Sequence, residues 1–232
     1  MTSCWIDIPS PDGGTFGGYL ALPPTGSGPG IVLVQEIFGV NHHIRAVADQ
    51  YALDGYVVLA PDVFWRDAPR VEFGYGEQDF GKGFALLRKT DFSKAAADLA
   101  AGAKTLRARP ECAGRVGIVG YCMGGLLSYL VAATGAVDAA VAYYGGGIAD
   151  HLDRASQVKC PMLFHFAELD QHITRDNVEA VKRAFTGRDD ATVRTYPGVD
   201  HGFNCWARPM YNQRAAALAH GRSLEFLSQH LG

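Results

Sequence analysis

Short uncharged runs alternate with amphipathic segments along most of the chain. Two strand-like runs, 3–8 and 16–22, flank the turn-rich SPDGG and predict a β-hairpin. IVLVQ, at 31–35, is the all-apolar kind of run that suits a strand covered on both faces. Asn41 is placed to cap a helix through HHIRAVADQYALDG, which stops at Gly55, and YVVLAPD reads as the next strand. Residues 63–80 are polar and aromatic-rich without clear periodicity. From about 83 to 109, Ala and Leu recur at helical spacing and predict mostly helix.

After Pro110 the alternation resumes. RVGIVG predicts a strand, MGGLLSYLVAATG a helix, and VDAAVAYYGG and CPMLFHFAE two further strands. DNVEAVKRAFTG is helical, ATVRTYP extended, and 213–231 a closing amphipathic helix. Strands alternating with helices specify an α/β fold, a mostly parallel sheet with helices on both faces. No repeat, low-complexity tract or Pro/Ser-rich linker divides the chain, so 1–232 reads as a single domain.

Composition narrows the function classes. With 48% hydrophobic and 19% charged residues among 232, the chain is globular rather than disordered. A net charge of −3 without basic clusters gives no reason to expect nucleic acid or an anionic membrane surface as partner. The uncharged stretch 116–137 is long enough to span a bilayer, but its five glycines and changing period read better as a buried strand followed by a buried helix. Five widely spaced cysteines with no CxxC pair argue against a disulfide framework or a zinc knuckle. The N-terminus has no signal-peptide pattern, so a cytoplasmic location is expected.

The chemistry centres on GYCMGG. Cys122 occupies G-x-C-x-G between a predicted strand and a predicted helix, the context of the nucleophile elbow in the α/β-hydrolase fold. The following helix N-terminus favours negative charge on the sulfur, and the Met123 N–H is placed to hold an oxyanion. In that fold an acid and then a histidine follow the nucleophile. Asp170, at the end of MLFHFAELD, and His201, in YPGVDHGF, match that order. Glu168 and Asp200 are neighbouring carboxylates, and Asp170 is preferred because Glu168 is expected to point away and Asp200 adjoins the base. Ile37, just after the strand at 31–35, is the candidate second oxyanion donor. Glu36 beside it is unusual so near a nucleophile; a structural salt bridge to Arg45 or a loop arginine is the competing explanation.

QEIFGVN, APDVFWR, VGYCMGG, AYYGGG and DHGFN resemble the dienelactone hydrolase family, Cys-dependent α/β-hydrolases. The resemblance implies hydrolysis of a small lactone or ester through an acyl-thioester, by Cys122, His201 and Asp170, without a cofactor or metal and in a monomer or homodimer. It makes Glu36 the carboxylate that modulates the thiol. Like-charge repulsion then leads us to expect a protonated thiol until substrate displaces Glu36. Members acting on dienelactone anchor its carboxylate with arginines, one of them four residues after the histidine. Here Cys205 stands at that position; Arg208 is the nearest guanidinium, and Arg66, Arg70 and Lys82 are candidates for the second. Phe38, Trp65, Phe73, Tyr75, Phe80, Phe84 and Tyr144 are candidate pocket residues. The rival readings are an enzyme acting on amides, and a ligand-binding or redox-sensing protein on the same scaffold.

Overall fold

A computed structural model describes residues 2–232. Strands β1 (Thr2–Pro9) and β2 (Thr15–Leu22) form the predicted hairpin. β3 (Gly28–Val34), helix α1 (His42–Leu53) and β4 (Val57–Pro61) follow, then helices α2 (Glu77–Lys89) and α3 (Phe92–Arg107). The second half runs β5 (Cys112–Tyr121), α4 (Met123–Thr134), β6 (Ala139–Tyr143), a 3-10 stretch Ile148–Gln157, β7 (Met162–Ala167), α5 (Arg175–Ala184), β8 (Ala191–Tyr196) and α6 (Gln213–Leu231).

The eight strands lie in the order β1-β2-β4-β3-β5-β6-β7-β8. β1 and β2 pair antiparallel, as do β2 and β4; from β4 to β8 every neighbour is parallel. The central strands carry apolar side chains on both faces because both faces are covered, and all five residues of β4 and of β6 are buried. α3 and α4 pack on one face and α1 and α6 on the other. The stretch 116–137 divides into β5 and α4, and among the described residues no helix is long and apolar enough to cross a membrane.

Two local features depart from the sequence reading. The expected helix from 83 to 109 is two helices broken at Thr90, whose extended ψ of 119° ends α2. Asp91 restarts the chain as α3 by accepting from the N–H groups of Ser93 and Lys94. α2 also begins earlier, inside the segment without clear period, because only its pocket-facing side is apolar.

The chain passes from β3 outward to β4 and then back across β3 to β5. The strand order therefore reverses between β3 and β5, and the loops leaving their C-terminal ends diverge around a crevice. Those two loops carry Glu36–Ile37 and Cys122.

Candidate active site

β5 ends at Tyr121 and α4 begins at Met123, which leaves Cys122 alone at the junction as the helix N-cap. Its backbone sits at φ 56°, ψ −117°, a region costly for any residue with a side chain. Hydrogen bonds hold it there: Cys122 N–H donates to the Tyr143 carbonyl at 3.0 Å, and the Cys122 carbonyl accepts from Gly125 N–H at 2.9 Å. The approach requires glycine on both sides. A Cβ at Gly120 would collide with the Gly124 carbonyl, and one at Gly124 with the Val34 carbonyl.

Asp170 lies in the loop after β7. Its Oδ1 accepts from His172 N–H at 2.8 Å and Ile173 N–H at 3.1 Å. Oδ2 is left for His201 Nδ1, at 2.7 Å. Cys122 lines the same cavity as the imidazole. Burial opposes charge on His201, but the Cys122 sulfur, then Asp170, outweigh it and raise its pKa to about 10. Glu168 instead accepts from Gly198 N–H, and Asp200 from the backbone N–H of His201 itself. Of the three nearby carboxylates, Asp170 is the one on the imidazole.

Glu36 is fully buried, and its Oε1 accepts from Arg208 Nη1 at 3.3 Å. Burial raises its pKa, against the pull of Arg208. Arg45 is elsewhere, bound to Glu72 at 2.7 Å, so the guanidinium beside Glu36 is Arg208. Cys205 is wholly buried, with burial and then Glu36 pushing its thiol up to about 12. The turn closed by Arg208 N–H on the Cys205 carbonyl folds the chain back and returns a guanidinium to Glu36 three residues later than spacing suggested.

A cavity of about 530 Å³ opens over these groups. Ile37, Phe38, Met123, Cys122, His201 and Arg208 all line it. Met123 N–H is the first of α4 and has no acceptor within the helix, which leaves it available to an oxyanion. α2 forms the opposite wall through Phe80, Phe84 and Leu87 on one helical face. Gly83 permits this close packing, because a Cβ there would strike the Ile37 carbonyl.

A family model described as the dienelactone hydrolase family matches residues 16–231. The chain belongs to this family. It is 37% identical to a putative carboxymethylenebutenolidase of Azospirillum brasilense, over 98% of this chain and 99% of the relative. A carboxymethylenebutenolidase of Pseudomonas sp. strain P51 is 34% identical over 97% of this chain and 94% of its own. The crystal structure of a putative dienelactone hydrolase from Klebsiella pneumoniae superposes with a TM-score of 0.88 at 30% identity, covering 99% of each chain. The chain is accordingly a hydrolase with the α/β-hydrolase fold, of the lactone- and ester-cleaving class, and its substrate is a small molecule.

Within this dienelactone hydrolase fold, several candidates for substrate contact fall elsewhere. Trp65 stacks on Phe16 at 5.3 Å and donates to Asp98, away from the cavity, because residues 63–67 turn back against β2 and α3. Tyr144 is fully buried behind the imidazole, its ring 5.0 Å from that of His201; it supports the histidine and does not line the cavity. Phe73 and Tyr75 also stand outside the lining, whereas Phe38, Phe80, Phe84 and Arg208 belong to it. Arg66 binds Asp98 and Asp12, Arg70 covers the Trp5 ring, and Lys82 pairs with Asp79. None of these three cations reaches the cavity. Leu87, Phe92 and Met210 line it without having been singled out from sequence; the 80-84-87 spacing on α2 was the signal for the first.

The tight elbow generates a structural expectation. Gly124→Ala should cost about 2–3 kcal/mol, read as a lowered denaturation midpoint. An unchanged midpoint would mean that the strand–helix junction can relax around the added methyl.

Proposed function

We propose that Cys122 is the nucleophile, His201 the acid–base and Asp170 its orienting partner in hydrolysis of a small lactone or ester. The observation carrying this reading is the hydrogen bond between the His201 ring and Asp170 Oδ2, with His201 and Cys122 lining one cavity and Cys122 on a strained helix N-cap. In the proposed cycle the sulfur, its proton transferred to His201, attacks the carbonyl carbon. Met123 and Ile37 N–H groups stabilise the oxyanion. Collapse breaks the C–O bond of the ester, and His201 gives its proton to the departing alkoxide. Neutral His201 then takes a proton from water as the hydroxide attacks the thioester. Expulsion of the thiolate releases the acid and restores the protonated imidazole.

Glu36 is held in place by a guanidinium. It accepts a hydrogen bond from Arg208, and His201 lines the cavity beside Cys122. Glu36 therefore acts through Arg208 and the polarity of the cavity floor.

Two measurements test the cycle. Cys122→Ala should lower kcat/KM for an activated ester by at least about a thousandfold, with the fold intact by circular dichroism. Unchanged turnover would favour the ligand-binding or redox-sensing reading. With an alkyl ester, whose leaving group needs a proton, kcat/KM should fall on the alkaline side as His201 deprotonates near pKa 10. Asp170→Asn removes an interaction that raises this pKa, so the alkaline limb should move to lower pH. A limb that stays in place would remove Asp170 from the proposed role.

A further inference from the structure

The charges and walls of the cavity bear on which esters enter it. Arg208 is the only arginine or lysine among the described lining residues, and its guanidinium is already committed to Glu36 at 3.3 Å. The remaining face of that guanidinium lies over the Phe38 ring, 5.6 Å from its centroid. His201 has its own counter-charge in Asp170 at 2.7 Å. Asp200, a further carboxylate, also lines the cavity. The two cationic groups, Arg208 and His201, are thus each matched by a carboxylate, and Asp200 adds one more negative charge.

The α2 wall carries no compensating cation into the cavity. On α2, Lys82 is held by Asp79 at 3.0 Å, and the guanidinium of Arg88 sits 5.6 Å from the Phe84 ring without lining the cavity. Phe80, Phe84, Leu87, Phe92, Leu126 and Met210 supply an apolar wall instead. A substrate carboxylate seated here would lose water, meet no free cation and face like charges.

We infer that this hydrolase takes neutral, apolar esters or lactones and rejects those bearing a carboxylate, with Glu36 masking Arg208 as the charge filter. The inference rests on the proposed hydrolysis at Cys122 and specifies its substrate class. Arg208 and Glu36 then determine specificity together: the arginine keeps the buried Glu36 paired, and the glutamate cancels the one cation that would attract an anion. The cavity volume suits a drug-sized molecule, with its acyl chain lying along the α2 wall.

Two esters of matched length and leaving group, 4-nitrophenyl hexanoate and the mono-4-nitrophenyl ester of adipic acid, test this directly. Their spontaneous hydrolysis in buffer is subtracted. For the wild-type protein kcat/KM should favour the neutral ester on the order of 100-fold. In Glu36→Gln the arginine is unmasked, and the preference should shrink about tenfold. Because the readout is a ratio within one variant, a general loss of thiol reactivity cancels.

Equal or faster cleavage of the adipate ester by the wild type overturns the substrate class and leaves the hydrolase reading standing. No wild-type turnover of either ester above buffer removes the hydrolase reading, and the inference falls with it. An unchanged ratio in a folded Glu36→Gln variant overturns the masking role of Glu36. The wild-type ratio decides the substrate class even if that variant fails to fold.

Discussion

The close approach of β5 and α4 to β3 is the constraint on which the site depends. Gly120 and Gly124 let three backbone segments meet where a single Cβ would force them apart. That contact places Cys122 in a conformation it would not otherwise adopt and points it into the crevice where the strand order reverses. The same reversal delivers Ile37 to the same cavity, from the loop after β3. The elbow, the candidate oxyanion donors and the crevice therefore share one geometric cause.

The polar groups are arranged around that rigid point in two separate pairs. Asp170 and His201 come from the loops after β7 and β8, adjacent parallel strands, so their spacing is set by the sheet. Glu36 and Arg208 form the second pair, enclosed to about the same degree as the first. Each pair sets a buried carboxylate against a basic side chain, although Glu36 Oε2 is left without a hydrogen-bond partner. Tyr144 completes the support from behind the histidine, at a positive φ of 35° that only tight packing sustains.

Much of this was legible in the chain because it depends on local pattern. GYCMGG, set between an uncharged strand and an uncharged helix, identifies an elbow without any knowledge of the rest of the fold. The order of Cys122, Asp170 and His201 follows from strand alternation. What was not legible depends on chain reversals that leave no periodic trace. Arg208 was named only as the nearest guanidinium to position 205, and its pairing with Glu36 depends on the turn at Cys205. Trp65 looked like a pocket residue by composition, yet tertiary contacts with Phe16 and Asp98 hold it elsewhere. The break at Thr90 was hidden because Ala and Leu continue at helical spacing on its far side, where Asp91 caps a new helix.

Covalent chemistry at Cys122 is the claim on which the other functional statements depend. Rapid acid quench of the wild-type protein during turnover of 4-nitrophenyl hexanoate, followed by peptide mass spectrometry, reads it directly. The predicted result is a hexanoyl thioester on the peptide containing Cys122, removed by neutral hydroxylamine. Turnover with no acyl group on that peptide, or with the acyl group on another residue, would contradict it.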